Sequence, residues 1–443
     1  MPRSYESISN MNRQRIANGL LMAALFLLPW QTILLYRMVS LPEGATVYGN
    51  LGVYAVEILI ALAFFFRGRL VTHVAYKNVI QAVCLFIAAC FLSLTFSRVF
   101  PVSLGWLSHV IAGGMFFLLL LDERTNTEHV IRAFLAGLVL PCLLGWVQYF
   151  TGFNPSFTLL GLAEKHAATP GVAVVATDAF RSLRAYGPFP HPNIFGGYLA
   201  IAIVLKGWKG RTGLKGLKSW RGWAQIAMIT LFTSTLILTF SRGAWLALTI
   251  GLVVFMGQAL LYKKLVPHRA LPLLSVGLIT ILLSIGIFHS HIFARFNPAL
   301  HVEATSLHER TSQYKTIGGV LAISPLTGVG PGAYTFALES LSPGQPPWTY
   351  QPMHNTFLLL LAELGILGLL AFSYFLFEIL RIVFPLLTKK GGRSTASIFA
   401  TTLLIELSTL ALFDHYLLSL WPGIALVAIV FAISLRFASK KTA

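Results

Sequence analysis

The sequence predicts an all-α, polytopic membrane protein of about twelve transmembrane helices, with a helical cap between spans nine and ten. Three observations carry that prediction. Hydrophobic residues make up 56% of the 443-residue chain and charged residues only 11%, more apolar surface than a water-soluble core can hide. Apolar runs of membrane-crossing length recur along the chain. The basic residues collect in alternate connections between those runs, as the positive-inside rule requires.

In order, the runs cover residues 18–37, 48–66, 79–97, 101–121, 129–150, 193–208, 223–240, 244–262, 271–289, 355–383, 396–416 and 418–437. The first follows a polar leader and lacks a small-residue cleavage site, so it reads as a retained anchor. The sixth is short, and the pairs 79–121 and 396–437 are tight enough for a re-entrant segment to mimic two helices. An even count places both termini on one side. That side collects Arg3, Arg13 and Arg15, then Arg67, Arg69 and Lys77, then Lys206, Lys209, Arg211, Lys215, Lys218 and Arg221. Lys263, Lys264 and Arg269, Lys389, Lys390 and Arg393, and Lys440 and Lys441 join them. It is therefore the cytoplasm, and the net charge of +18 reads as topogenic, with membrane lipids and no nucleic acid as partners. Cys84, Cys90 and Cys142 fall inside spans and form neither a disulfide framework nor a metal-ligand spacing. The chain divides into a bundle at 1–289, a cap at 290–354 and closing spans at 355–443.

Two outer connections are long, 151–192 and 290–354, and function should concentrate there. In the second, Ser306 and Glu309 make a capping box, the helix runs through Gln313 and Ile317, and Pro325 ends it after Ser324. This helix is expected along the membrane surface. At 100° per residue Leu307, Tyr314, Ile317 and Leu321 share a face with Arg310 in its middle, where the arginine meets an anion, snorkels or forms a structural ion pair. Three prolines and a glycine stiffen the segment from Arg184 to Asn193, holding Arg184 toward a ligand or toward lipid phosphates. Arg242, in Ser241-Arg242-Gly243-Ala244-Trp245, sits on the side that positive-inside sorting depletes; it serves a ligand or anchors the interface beside Trp245. Pro352-Met353-His354-Asn355 opens an apolar helix and sets an imidazole at the membrane surface, where acid/base chemistry becomes possible.

These motifs resemble the O-antigen ligase family, which shares its core with the O-antigen polymerases. The segments that carry the likeness are Arg184-Ala185-Tyr186-Gly187-Pro188-Phe189-Pro190-His191-Pro192-Asn193, Ser241-Arg242-Gly243-Ala244-Trp245, Arg310 followed by Ser324-Pro325-Leu326-Thr327-Gly328-Val329-Gly330-Pro331-Gly332, and His354-Asn355 heading a leucine-rich span. Together they cover about 180–370. The resemblance implies an inverting glycosyltransferase of the bacterial inner membrane, acting in lipopolysaccharide biosynthesis. Its donor would be a glycan on undecaprenyl pyrophosphate, and its acceptor the lipid A-core oligosaccharide on the periplasmic face. An O-antigen or exopolysaccharide polymerase is the nearest alternative. From another class, a lipid-linked-sugar flippase or transporter would show repeat symmetry and polar sites near the midplane.

The residue inventory suits that chemistry. Displacing a pyrophosphate concentrates negative charge that a metal or cationic side chains must stabilise. The aspartates are Asp122, Asp178 and Asp414, with no Asp-x-Asp pair, so neither a metal site nor a cofactor is expected. Arg184, Arg242 and Arg310 are then the pyrophosphate-binding residues. His354, at the positive end of a helix dipole that favours neutral imidazole, is the catalytic base. Support is expected from His191, Asn193 and Asn355, and from Glu363, which would orient His354, pair with an arginine or simply pack. Tyr334 would stack on sugar, and Asp414, His415 and Tyr416 would line the acceptor entrance. The irregularly spaced His289, His291, His301 and His308 read as a solvated loop.

Overall fold

A computed structural model describes residues 2–177, 179–209, 219–261, 271–384 and 395–439. Asp178 and the predicted cytoplasmic residues Arg211, Lys215, Lys218, Lys263, Lys264, Arg269, Lys389, Lys390, Arg393, Lys440 and Lys441 lie outside the described residues.

The described chain is all-α apart from three two-stranded hairpins. Helices α1 (Pro2–Leu27), α2 (Ala55–Arg67), α3 (Lys77–Thr95) and α4 (Phe100–Leu121) open the bundle. Next come α5 (Thr127–Gly137) and α6 (Val139–Thr151), one rod broken at Leu138. Pro141 cannot donate to the carbonyl four residues back, and Gly137 lets the Phe26 carbonyl press where a Cβ would stand 2.3 Å away. Helices α7 (Pro192–Lys209), α8 (Trp220–Leu238), α9 (Arg242–Leu261) and α10 (Leu271–Ile287) complete the first part. The cap holds α11 (His289–Phe296), α12 (His301–Ile323) and α13 (Tyr334–Leu341). Helix α14 (Thr356–Val383) and the helices Thr395–Phe413 and Trp421–Ser439 close the chain. The closing helices pack on α9 and α4, and α14 on α3, around one extended apolar core. Leu278, Leu282, Val253, Phe65 and Phe377 stay exposed, an apolar belt fit for lipid.

Among the described residues, seven helices are long and apolar enough to cross a membrane, or eight if the bent pair Leu273–Ile287 and His289–Ile323 is one span. The twelve expected runs all contain helix, but a count of twelve spans goes beyond what these lengths support. The first two runs are shorter than expected. Helix α1 stops at Leu27, before Pro29, and apolar Ile33–Met38 pairs with Asn50–Tyr54 as an antiparallel hairpin instead of continuing as helix. Residues 28–54 therefore form a third substantial connection at the end where the loops 151–192 and 324–354 lie: Thr32 donates to the Leu159 carbonyl at 2.7 Å, and Gly344 to Glu43 at 2.8 Å. At the opposite end, Arg67 is not a solvated topogenic charge. It is 1% exposed, pairs with Asp122 at 3.3 Å and donates to Asn18, while Arg124 grips the same carboxylate at 2.6 Å.

Helix α14 is broken inside the bundle. Gly365 adopts φ 65° and ψ −171°, and the loop Pro325–Gly330 seals the gap. The Ile366 and Leu367 amides donate to the Pro325 and Leu326 carbonyls at 3.0 and 3.2 Å, and those of Val329 and Gly330 donate to Ala362 and Glu363 at 3.0 Å each. A discontinuous helix survives in an apolar setting only when its freed backbone groups are satisfied in this way. The approach requires glycine: a Cβ on Gly365 would stand 2.2 Å from the Leu326 oxygen, and one on Gly328 2.2 Å from the Glu363 backbone. Gly365→Ala is expected to add roughly 1–3 kcal/mol of backbone strain, in a region of φ and ψ that only glycine adopts readily, to that clash. It should lower the thermal midpoint of the detergent-solubilised protein, whereas Gly318→Ala, which meets nothing within 4 Å, should not.

Candidate active site

The cap helix α12 begins at His301, five residues before the expected capping box, so Ser306 and Glu309 lie in its interior. The reason is tertiary: Glu303 in its first turn is held by Arg295 and, at 3.1 Å, by Arg242. Its buried face carries Glu303, Gln313, Ile317 and Val320. Arg310 falls on that face by heptad spacing from Glu303 and Ile317, while Leu307 and Tyr314 are 44% and 54% exposed, outside the stripe in which they were expected.

The turn between α8 and α9 organises the arginines. Phe240 there has φ 47°, a strained value for a bulky residue, and it turns two successive carbonyls toward cations. Arg184, 4% exposed, donates from Nε to the Thr239 oxygen at 2.7 Å, and Arg295 donates to the Phe240 oxygen at 3.2 Å. Arg242 donates to the Arg295 carbonyl at 2.9 Å. Burial first, then repulsion from Arg295 and Arg242, hold the Arg184 pKa well below its usual value, with Tyr186 and Glu303 opposing. Arg310 has no hydrogen bond or ion pair among the described residues, yet its charge reaches Arg295, His354 and His415. Arg242 and Arg295 thus pair with Glu303, and the charges of Arg184 and Arg310 reach Arg295, an excess of positive charge suited to a polyanion.

From Arg184 a row of hydrogen bonds leads to the histidines. Arg184 Nη2 donates to Asn193 Oδ1 at 2.8 Å, and Asn193 Nδ2 donates to Asp414 Oδ2 at 2.8 Å. Asp414 Oδ1 accepts from the His415 amide at 2.9 Å, and the His415 ring meets His354 edge-on at 5.0 Å. The ligand atoms of His354, Asp414 and His415 all lie within 4.8 Å of one another, a spacing that a cation would fit. Burial drives His191 and His415 down to about 3, with Arg184 the largest charge acting on His191 and His354 on His415. Burial pushes Asp414 up, but His415, His354, His191 and the Asn193 hydrogen bond outweigh it and leave the pKa lowered. His354 is lowered by burial, with Asp414 opposing and Arg310 reinforcing.

Gln313 fixes the His354 tautomer. Its Nε2 donates to the Pro352 carbonyl at 3.2 Å, so its Oε1 is the acceptor, and Oε1 receives both the His354 amide and His354 Nδ1 at 3.0 Å. Nδ1 must then carry the proton, which leaves the lone pair on Nε2. Asn355 caps α14 by accepting the Phe357 and Leu358 amides. Glu363 and Tyr334 lie elsewhere. Glu363 accepts the Tyr334 amide at 3.4 Å beside the helix break, with neither His354 nor an arginine as hydrogen-bond partner. Tyr334 is fully buried in the core rather than open to a sugar. His291 is not simply solvated: it stacks on Phe180 at 4.1 Å.

Residues 226–373 match the family model described as O-Antigen ligase. Over that segment the chain is similar to the O-antigen ligase family. A search of curated proteins returns no match. The matched segment contains Arg242, Arg295, Glu303, Arg310, Gln313 and His354, while Arg184, His191, Asn193 and Asp414 join the constellation from outside it. Arg295, Glu303 and Gln313 were not singled out by the sequence reading. Arg295 satisfies the criterion that selected Arg242, a lone arginine on the depleted side; nothing local marks Gln313.

Proposed function

We propose that the chain transfers a glycan from undecaprenyl pyrophosphate to a hydroxyl of the lipid A-core oligosaccharide, with inversion and without a metal. The site faces the periplasm at the inner membrane, with residues 290–354 as its cap. The observation that carries the reading is a histidine with its proton fixed on Nδ1 by Gln313, beside Asp414 and four arginines.

Arg184, Arg242 and Arg310, with Arg295, hold the pyrophosphate and offset the charge that develops on it. The acceptor oxygen attacks the anomeric carbon and forms the new glycosidic bond while the bond from that carbon to the phosphate oxygen breaks. The hydroxyl proton passes to His354 Nε2, and the pyrophosphate leaves as the anion held by the arginines. Asp414 stabilises the resulting imidazolium, and Gln313 keeps the ring oriented. Burial depresses the His354 pKa, so the ring waits in the neutral form that a base requires.

Reconstitution tests the reaction. Purified chain supplied with lipid-linked O-antigen and rough lipopolysaccharide, in excess chelator, is expected to build a ladder on lipid A-core. Glycan extended on the lipid carrier instead would make it a polymerase, and strict dependence on an added divalent ion would assign His354, Asp414 and His415 to a metal.

A further inference from the structure

A second chamber adjoins the candidate site. It encloses about 410 Å³ between the strands Ile33–Met38 and Asn50–Tyr54, α4, the segments 161–165 and 188–190, the α14 break and the start of the helix Trp421–Ser439, within the range of small-molecule pockets. Its walls include the aromatic rings of Tyr48, Tyr54, Trp106 and Trp421. Four of its lining residues carry a buried polar atom with no partner among the described residues: Gln31 Oε1, Thr335 Oγ1, Glu363 Oε2 and Trp421 Nε1. Buried polar groups are rarely left unpaired without a reason. Apolar ring faces interleaved with unpaired acceptors and a donor suit a saccharide, whose C–H faces pack on rings and whose hydroxyls both give and accept hydrogen bonds.

Two contacts join the chamber to the base. Pro352, two residues before His354, is part of its lining, and Tyr48 meets the His415 ring edge-on at 6.0 Å. None of the clustered arginines lines it. An inverting displacement requires the nucleophile to approach opposite the leaving group, so with pyrophosphate on the arginines the acceptor calls for a chamber that they do not line. Of its lining, only Gly332, Thr335, Pro352 and Glu363 fall within the matched segment 226–373.

We infer that this chamber is the acceptor-saccharide subsite, with Glu363 and Gln31 as specificity-determining residues and Lys165 at its rim. The assignment rests on the transfer reading above. Glu363→Gln keeps the acceptor for the Tyr334 amide, and Lys165, half-buried in the two-residue strand Lys165–His166, can be cut to alanine with the backbone pairing to Asn154 retained.

Delipidated core oligosaccharide is titrated into the full-length protein by calorimetry, and undecaprenyl pyrophosphate separately. Glu363→Gln, Gln31→Ala and Lys165→Ala should each weaken the oligosaccharide roughly tenfold, about one hydrogen bond, with carrier-lipid affinity within about twofold. Arg242→Ala should show the reverse pattern. Unchanged oligosaccharide affinity in all three variants, or loss of carrier-lipid affinity instead, overturns the assignment. If the wild-type chain transfers nothing yet the oligosaccharide pattern holds, the subsite stands and the transferase reading fails.

Discussion

Arg242→Ala and Arg310→Ala are each expected to reduce transfer by about 10²–10³-fold, the loss typical of one charge-stabilising donor in a dry site, and to weaken donor binding in step. Lysine should rescue either position poorly, because a point charge cannot reproduce the planar fork. Arg184→Ala should behave differently. Its guanidinium also satisfies the Thr239 carbonyl and Asn193, so alanine orphans buried acceptors and should cost folded protein as well as activity. Size-exclusion profiles measured beside donor titrations separate the two effects. Donor affinity unchanged in all three variants would remove the pyrophosphate from this cluster.

His354→Ala is expected to slow turnover by roughly 10²–10⁴-fold, the contribution of one acid/base group, with the fold intact. A pH profile adds a second reading. The folded His354 pKa lies below the ordinary 6.5, so its neutral form persists on acidification and the acid limb of kcat should fall below pH 6.5. Stability should follow the same sign. Between about 3 and 6.5 the unfolded chain binds protons on His191 and His415 that the folded chain refuses, so stability rises with pH across that window. An acid limb above 6.5 would mean that the titrating group is not this histidine.

Much of the bundle could be read from the sequence because membrane helices advertise themselves through composition: the runs at 101–121, 355–383 and 396–416 coincide with described helices to within a few residues. The hairpin at Ile33–Met38 escaped for the same reason. Apolar residues that face outward from a strand look like more helix, and only Pro29 signalled the stop. The arginines and His354 stood out because each occupies a place that charge normally avoids. Their partners did not. Asn193 and Asp414 meet across 221 residues and Gln313 and His354 across 41, pairings created by helix packing that no local pattern encodes. The α12 cap misled for a related reason: Ser306 and Glu309 satisfy a local rule, but the ion pairs of Glu303 start the helix earlier.

The central claim is a division of labour, with pyrophosphate on the arginines and the acceptor proton on His354. Donor affinity and turnover, measured side by side on purified His354→Ala and Arg242→Ala proteins, test it most directly. The account predicts that His354→Ala binds donor like the wild type and scarcely turns over, while Arg242→Ala loses affinity for the donor. Equal loss of donor binding in both would place His354 in the phosphate site, and near-wild-type turnover by His354→Ala would contradict the base outright.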